Sequence, residues 1–457
     1  MTQSIFVQVG QCGNQIGYRF WDLALREYAA MNKSRETMQS FFSLDSKKKL
    51  SARAVLVDME EGVVQELLRS QLGSLFESNH LITDVSGSGN NWAVGHCLYG
   101  NKYSEKILEV LRTSVEACSS LQCFFVLHSM GGGTGSGIGS FISQLLADEY
   151  PNVFRLVTAV FPSLDDDVIT SPYNTVLALN HLTEFADCVL SVENGALNSI
   201  VRRAQAEPVP KHLKTATLGS VVTNEGSLAS TEGTKPFDAM NNIVANMLLN
   251  LTSSARFPGT MNVDLNEISM NLVPFPRLHY LLAAQSPICS SLSPSAPRNI
   301  DQIFKDAFSR DYQLLSNQPM EHTFLAASLL LRGSAFASDI RRNIERLQAR
   351  LRFVPWSREG WKVGHCQVPA VGQKVTLLAL SNSTGIRESL AEVLGRFKKL
   401  MSKKAHLHHY LHVEGFEKSQ FERSACNLSD LIDEYAFFEN HTSEVPYPEL
   451  PRLRIAD

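Results

Sequence analysis

The stretch with the clearest chemical meaning is GGGTGSG at residues 131–137. It follows the apolar run CFFVL at residues 123–127 and precedes a segment with the apolar spacing of an amphipathic helix. This order predicts a buried strand, a glycine turn and then a helix. Glycine lets a backbone approach an anion closely, and the start of a helix presents unpaired N–H groups. The pattern therefore predicts a phosphate-binding loop rather than a glycine-rich surface loop.

Two more glycine-rich segments carry polar side chains. GQCGNQIG at residues 10–17 directly follows a predicted strand, and GSGNNW occupies residues 87–92. Gln11 and Gln15 are four residues apart, so they share one helical face and can reach the same ligand. Cys12 is predicted to be a packed small residue, because no base is identifiable beside it.

Two acidic residues, Asp58 and Glu60, follow the apolar run AVLV at residues 54–57. Carboxylates at the C-terminal end of a parallel strand point into the crevice where ligands bind. There they can hold a hard cation and its waters. A helix N-cap with an acidic first turn explains the same residues, and the sequence leaves both interpretations open.

Two familiar phosphate-binding motifs do not fit. A P-loop needs Gly-Lys before Ser or Thr, and the sequence has no Gly-Lys dipeptide. A dinucleotide fingerprint lies in the first strand–helix turn with an acid roughly 20 residues on, and this chain has only fragments of it. Without a P-loop lysine, N–H dipoles and a metal ion are expected to meet the phosphate charge.

The elements that must position these residues alternate over the first two hundred positions. Strands alternating with helices predict a doubly wound parallel sheet with the glycine-rich turns at its ligand edge. A polar, breaker-rich stretch follows at residues 202–235, and a long apolar helix begins near Phe237. Residues 32–51 are predicted to form a solvated loop.

The second half is predicted to hold a smaller set of strands and helices and a helical C-terminal part. The predicted strands are 267–273, 322–331 and 375–380, and the predicted helices are 301–308, 339–351, 386–401 and much of 402–438.

Composition limits the class of function. Of the 457 residues, 44% are hydrophobic and 19% are charged, which is typical of a globular protein. The formal net charge of −4 argues against a nucleic-acid partner. Since no apolar run approaches the roughly 20 residues of a membrane span, no membrane association is expected. Eight irregularly spaced cysteines and the lack of a secretory signal predict a cytoplasmic protein with reduced thiols.

Four motifs together resemble the tubulin family: GQCGNQIG, GSGNNW, GGGTGSG, and NLVPFPRLH at residues 271–279. The resemblance covers essentially the whole chain. It implies an α/β fold with a doubly wound parallel-sheet GTP-binding domain, a central helix, a smaller α/β intermediate domain and C-terminal helices. The implied divisions are 1–201 for the nucleotide domain, 202–236 for a polar insertion, 237–257 for the central helix, 258–382 for the intermediate domain and 383–457 for the helical end.

The resemblance also implies GTP or GDP with Mg²⁺ in the predicted crevice. Glu60 would lie near the metal with Asp58 supporting it, and Phe237 would stack on the base in place of the family's usual tyrosine. Polar side chains and glycines would supply the remaining contacts. Those to the nucleotide and metal are Gln11, Cys12 and Gln15; those to the γ-phosphate are Ser88, Gly89 and Asn90; those to the other phosphates are Ser129, Gly131, Gly132, Gly133, Thr134, Gly135, Ser136 and Gly137; those to guanine are Asn194 and Asn241.

Residues 259–267, GTMNVDLNE, resemble the family's catalytic loop. The resemblance implies that Glu267, helped by Asp264, positions water against the nucleotide of an adjoining subunit. The site is then completed in trans, and an isolated chain is expected to hydrolyse GTP slowly. Spacing alone indicates only that Asp264 and Glu267 can share a helical face.

Three departures favour a divergent branch of the family. They are the insertion, Ser171 where a carboxylate is expected near the ribose, and the absence of a glutamate-rich segment at residues 449–457. That branch implies a role at centrioles, basal bodies and the centrosome in doublet and triplet microtubules. The implied partners are delta-tubulin, possibly alpha- and beta-tubulin, and centriolar proteins. A non-hydrolysing capping or adaptor subunit and a dinucleotide-dependent oxidoreductase are the alternatives.

Overall fold

The computed structural model describes residues 2–30, 38–44, 49–163, 166–206, 237–257, 259, 261–288 and 298–440. Residues 202–206 of the predicted polar insertion form the end of the helix that begins at Asn194, and the rest of the insertion, residues 207–236, lies outside the described residues, as does the end of the chain from 441. In chain order, the elements of the first half are β1 (Gln3–Val9), α1 (Gly10–Ala30), β2 (Phe42–Leu44), β3 (Leu50–Ala52), β4 (Ala54–Asp58), α2 (Glu61–Arg69), β5 (Leu81–Thr83), α3 (Asn101–Glu116), β6 (Leu121–Ser129), α4 (Gly139–Glu149), β7 (Phe154–Phe161), α5 (Ser171–Phe185), β8 (Cys188–Glu193) and α6 (Asn194–Ala206).

The second half continues with a long helix and a further group of strands and helices. They are α7 (Asp238–Leu251), α8 (Ser253–Arg256), α9 (Leu265–Leu272), β9 (Tyr280–Ser286), α10 (Ile300–Ala307), β10 (Thr323–Gly333), α11 (Ala337–Gln348), β11 (Arg352–Phe353), β12 (Trp361–Cys366), β13 (Val375–Ser383), α12 (Ile386–Ser402), α13 (His408–Leu411) and α14 (Lys418–Asn440). Within the described ranges, no helix is long and apolar enough to span a bilayer.

One sheet of eleven strands runs through both halves of the chain, in the order β11-β10-β13-β9-β8-β7-β6-β1-β4-β5, with β12 also paired to β10. The seven neighbouring strands β9, β8, β7, β6, β1, β4 and β5 are mutually parallel, and β13 is antiparallel to both of its neighbours, β9 and β10. The predicted α/β fold with a parallel sheet is confirmed. Because the sheet is continuous, it does not test the division into domains, which stays a prediction.

Helices cover both faces of the sheet, as the packing of β1 shows. Ile5 and Val7 pack with residues of α4, α5, α12 and α14, whereas Phe6 packs on the opposite face with residues of α1 and α7. Alternate side chains of a strand point to opposite faces, and all seven residues of β1 are buried, so both of its faces are covered. The doubly wound arrangement follows directly.

Two of the three glycine-rich segments, residues 10–17 and 131–137, become helical within their first three residues, whereas residues 87–91 are not helical. Gly10 begins α1 with a φ of +72°, and a π-helical segment (Thr134–Ile138) leads into α4. A side chain at Gly13 would overlap the carbonyl oxygen of Leu127 on β6. The helices therefore begin earlier than predicted, because glycine lets a helix start pack directly against the neighbouring strand.

Two predictions about local structure are wrong. Residues 267–272 belong to the helix α9 rather than to a strand, and Val273 is its C-cap residue. Asp264 caps the start of that helix by accepting a hydrogen bond from the Leu265 N–H at 2.8 Å. Residues 32–51 are not simply a solvated loop, because β2 and β3 pair as a hairpin. Phe42 of that hairpin is buried against Trp21.

A buried cluster of three charges joins α1, α8 and β10. Glu27 accepts hydrogen bonds from Arg256 through Oε2 and from Arg332 through Oε1, the latter at 2.8 Å. Both arginines are fully buried and Glu27 is 3% exposed. Burial alone would raise the pKa of Glu27, but the two guanidinium groups hold it below its ordinary value. This cluster fixes the first helix against the second half of the sheet.

Candidate functional site

A cavity of about 290 Å³ opens at the carboxyl edge of the parallel strands. Asp58 and Ser129 are the last residues of β4 and β6, and Gly10 and Asn194 directly follow β1 and β8. Parallel strands end at the same edge of a sheet, so residues distant in sequence converge there.

Most of the residues predicted to contact nucleotide or metal line this cavity. They are Gln11, Cys12, Gln15, Asp58, Glu60, Ser88, Gly89, Asn90, Ser129, Gly131, Gly132, Gly133, Thr134, Gly135, Asn194, Phe237 and Asn241. Ser136 and Gly137 lie behind the wall instead. The Ser136 hydroxyl donates to the Gly132 carbonyl, and a side chain at Gly137 would lie 2.5 Å from the Trp92 carbonyl oxygen.

Close packing shapes the glycine-rich segment at residues 131–137. A Cβ at Gly133 would lie 2.5 Å from both the Asn91 nitrogen and Ser88 Oγ. At Gly132 the nearest atom would be 3.7 Å away. Gly133 is therefore required by the protein's own packing, whereas Gly132 faces open space in the cavity.

Asn174, at the start of α5, ties together the loops around the cavity. Its Nδ2 donates to the carbonyl oxygens of Asn90 and Gly131, each at 2.8 Å. Its Oδ1 accepts from the Trp92 N–H at 2.9 Å and from the Tyr410 hydroxyl at 2.6 Å. Reasoning from sequence missed this residue, although the Pro-Tyr-Asn triplet that contains it was visible.

The two acids predicted to serve a metal differ in environment. Asp58 is 3% exposed, its Oδ1 accepts weakly from the Glu60 N–H at 3.3 Å, and its Oδ2 has no partner among the described residues. Burial raises the pKa of Asp58 to about 6. Glu60 is exposed and precedes α2 without a side-chain capping bond, so the geometry gives the capping alternative little support.

These acids fit a magnesium ion only in part. Within the described ranges, no three His, Cys, Asp or Glu side chains are grouped to hold a metal. Mg²⁺ commonly binds through one or two carboxylates together with phosphate oxygens and waters. The unpartnered Oδ2 of Asp58 and the exposed carboxylate of Glu60 match that smaller protein contribution.

At the other end of the cavity, Asn241 donates to Gln15 Oε1 at 3.4 Å. Phe237 is 51% exposed with a left-handed φ of +74°, so its ring is available to a ligand. Burial raises the pKa of the Cys12 thiol to about 12, which agrees with its predicted role as a packed residue.

The charge of the cavity is negative. Asp166 joins Asp58 and Glu60 among the described lining residues, and none of those residues is Lys or Arg. Asp166 is the middle residue of the acidic triplet at residues 165–167, to which reasoning from sequence assigned no role. A Cβ at Gly131 would lie 3.0 Å from Asp166 Oδ2, which puts this carboxylate beside the glycine loop.

Comparison with known proteins decides the family. Residues 3–202 match the family described as Tubulin/FtsZ family, GTPase domain, and residues 276–394 match the Tubulin C-terminal domain. The chain is 52% identical to the tubulin epsilon chains of Mus musculus and Homo sapiens across the whole of each chain. It is 32% identical to the tubulin beta-1 chain of Colletotrichum graminicola over 98% of both chains.

The chain belongs to the tubulin family. This confirms the resemblance carried by the glycine-rich motifs, and it identifies the protein as a GTP-binding member of a cytoskeletal family. The departures from the common pattern favoured a divergent branch, which agrees with the higher identity to the epsilon chains than to the beta-1 chain. Because the chain belongs to the tubulin family, the alternative of a dinucleotide-dependent oxidoreductase is dropped.

The two residues predicted to be catalytic lie far from the cavity. Gln122, at the beginning of β6, donates to Asp264, whereas Ser129 at the end of β6 lines the cavity. Seven residue steps along a strand span about 23 Å. Glu267 is three residues from Asp264 on α9 and forms an ion pair with Lys362 at 2.5 Å. Within one tubulin subunit, the carboxylates and the cavity therefore occupy opposite edges of the sheet.

Asp58 leads to a prediction about stability. Because its folded pKa of about 6 lies above the ordinary value of 3.8, the folded protein binds this proton more tightly than the unfolded chain. The nucleotide-free protein therefore loses stability as the pH rises from about 4 to about 6. Asp58→Asn is expected to stabilise it by about 2–3 kcal/mol at pH 7.5.

Urea unfolding in the presence of EDTA, at pH 4.5 and pH 7.5, measures this effect. The gain is expected to be small at pH 4.5, where wild-type Asp58 is already protonated. A variant that is less stable than wild type at pH 7.5 would contradict the account of Asp58 as a destabilising buried charge.

Proposed function

We propose that this tubulin-family protein binds GTP with Mg²⁺ in the cavity and uses it to govern longitudinal contacts between subunits. The observation that carries the proposal is the separation along β6 between the cavity and Asp264. A chain with half of a reaction site at each edge of its sheet can complete the site only by stacking head to tail. Such a contact is heterologous, and repeating it produces an open filament.

In this arrangement, each part of the cavity has a defined task. Backbone N–H groups of the 131–137 segment bind phosphate oxygens, since the segment has close packing behind it and open space at Gly132. Asp58 and Glu60 hold Mg²⁺ through waters, and the metal offsets phosphate charge. Asn194 and Asn241 read guanine, whose edge offers both donors and acceptors, and Phe237 stacks on the base.

The other half of the site acts on the neighbour. Glu267, 47% exposed at its side chain, orients a water molecule towards the neighbour's γ-phosphate. Asp264 positions the start of α9, because its capping bond to the Leu265 N–H fixes the first turn on which Glu267 lies. Hydrolysis is therefore slow in a free subunit and faster in an assembly.

The cellular role that we propose is at centrioles, basal bodies and the centrosome, in building or stabilising doublet and triplet microtubules. This role is the one implied by the divergent branch that the departures from the common family pattern favoured. The 52% identity to tubulin epsilon chains supports it. Other tubulins are the expected partners, with delta-tubulin and centriolar proteins the specific ones proposed.

A second candidate is a capping or adaptor tubulin that binds GTP without hydrolysing it. Phe237, directly after the 207–236 insertion, lines the cavity, so the insertion is attached at the rim that a neighbour would approach. The two candidates differ in one measurable outcome: a capping subunit leaves its assemblies with intact GTP.

Gly132→Leu tests nucleotide binding in the cavity. The new side chain enters space where the nearest atom to its Cβ is 3.7 Å away, so the fold is expected to tolerate it. GTP affinity is expected to fall about 100-fold, which equals about 2.7 kcal/mol of binding free energy. Equilibrium binding of a fluorescent GTP analogue measures the loss.

Gly395→Leu is the matched control, because a Cβ at Gly395 also meets nothing within 4 Å and lies on α12. This control is expected to bind GTP as the wild type does. If a folded Gly132→Leu protein binds GTP with unchanged affinity, the assignment of residues 131–137 to phosphate binding is wrong.

A further inference from the structure

An ion pair joins Glu267 of α9 to Lys362 of β12. Lys362 Nζ lies 2.5 Å from Glu267 Oε2, and the two side chains are 29% and 47% exposed. Lys362 is on β12, opposite Ser328 of β10, whereas Glu267 is in the first turn of α9. Two separate elements thus bring an ammonium group to the carboxylate that is proposed to act on a neighbouring subunit.

The ammonium group retains hydrogen-bonding capacity. A lysine side chain has three N–H donors, and the contact with Glu267 uses one of them. Among the described residues, Glu267 is the ion-pair partner of Lys362, and the lysine has no second one. Because the side chain is partly exposed, its remaining donors can reach an anion on a surface that docks there.

The cavity at the opposite edge of the sheet lacks what Lys362 offers. Its described lining holds three carboxylates, Asp58, Glu60 and Asp166, and neither Lys nor Arg. Phosphoryl transfer develops negative charge on the γ-phosphate oxygens, and a cation supplied by a second protein stabilises that charge strongly. A cavity without a cationic side chain can obtain one from the subunit that contacts it.

We infer that Lys362 is a catalytic residue that acts in trans, placing its ammonium group against the γ-phosphate held by the adjoining subunit. The inference rests on the proposed head-to-tail arrangement. In that contact Glu267 orients the water and Lys362 binds γ-phosphate oxygens. The contact between the two side chains fixes the distance from the water to the cation.

The reaction balances without any further reactant. The water oxygen forms a bond to the γ-phosphorus, and the bond from that phosphorus to the oxygen bridging the β- and γ-phosphates breaks. The electron pair of the broken bond stays on GDP, and both protons of the water leave with inorganic phosphate as H2PO4−. Lys362 remains protonated throughout, so its contribution is electrostatic.

A purely structural role for the same ion pair predicts different behaviour. An exposed pair contributes little to stability, and its loss would leave hydrolysis unchanged as long as assemblies form. The rate of hydrolysis at saturating GTP therefore separates the two roles, whereas stability and GTP affinity do not.

The experiment compares full-length Lys362→Met, Lys362→Arg and the control Lys106→Met, which removes an exposed lysine from α3. Each protein is loaded with radiolabelled GTP and assembled, and single-turnover release of phosphate is followed. Lys362→Met is expected to slow release about 100-fold with unchanged GTP affinity. Lys362→Arg is expected to restore most of the rate, and Lys106→Met to match wild type.

If Lys362→Met fails to assemble alone, it is mixed as a minor fraction into wild-type assemblies, where its neighbours are expected to retain their GTP. Wild-type rates in assembled Lys362→Met, or full hydrolysis beside it in the mixture, would overturn the inference while leaving the role of Glu267 intact. Wild-type assemblies that never hydrolyse GTP would overturn the proposed trans reaction and this inference together.

Discussion

Glu27→Ala is expected to lower the free energy of unfolding by about 3–5 kcal/mol, the usual range for breaking a buried ion pair by removing one partner. The substitution leaves Arg256 and Arg332, both fully buried, without their shared carboxylate. Their remaining partners include backbone carbonyl oxygens such as those of Leu249 and Val368, which carry no net charge. Two like charges would then lie unneutralised in the interior.

Urea unfolding followed by circular dichroism measures this loss. Glu109→Ala is the control, because Glu109 pairs with Arg112 on the exposed surface of α3 and its removal is expected to leave the stability almost unchanged. Replacing all three charged residues by apolar ones is expected to recover much of the stability. A loss of under 1 kcal/mol for Glu27→Ala would contradict the role given to this cluster.

Glu267→Gln is expected to slow GTP hydrolysis in assemblies by about 1,000-fold, a typical effect of losing the group that positions the nucleophile or a charge in trans. The change keeps the size of the side chain and removes its charge. GTP binding to the isolated chain is expected to stay the same, because Glu267 lies at the opposite edge of the sheet from the cavity. Single-turnover release of phosphate and nucleotide binding are measured on the same preparation.

A mixing experiment tests completion of the site between two copies. Glu267→Gln keeps the cavity, and Gly132→Leu keeps Glu267, so the mixture is expected to hydrolyse GTP although neither variant does so alone. Glu345→Gln, which alters an exposed carboxylate on α11, serves as the control and is expected to behave as wild type. Loss of GTP binding in isolated Glu267→Gln would rule against the trans role, and wild-type assemblies with intact GTP would favour the capping alternative.

The sheet and its covering helices were predictable where periodicity is unambiguous. β1 and β10 are mostly apolar and bounded by clear breaks, so their existence followed from pattern, and every residue of both strands is buried. α9 was missed for a definite reason: Ile268, Met270 and Leu272 alternate as in a strand. In the structure Ile268 and Leu272 are buried, but Met270 is 82% exposed. The apolar side chain of an exposed methionine therefore produced the two-residue spacing that is typical of a strand.

The candidate site was predictable to the extent that its residues lie in contiguous motifs. The glycine-rich segments are recognisable from their composition. Because each follows a parallel strand, they lie together at the carboxyl edge of the sheet. Asn174, Asp166 and Lys362 gave no comparable signal, because their roles depend on contacts with loops and strands remote in sequence.

β6 also has a mechanical consequence. Its first residues contact Asp264, its last residue lines the cavity, and it is hydrogen-bonded to β1 and β7 on its two sides. In a head-to-tail filament, tension would pass from one subunit contact to the next along this strand. A strand bonded on both sides resists stretching, so the subunit keeps its length under load. The elasticity of such a filament therefore resides in its joints, where each GTP is bound.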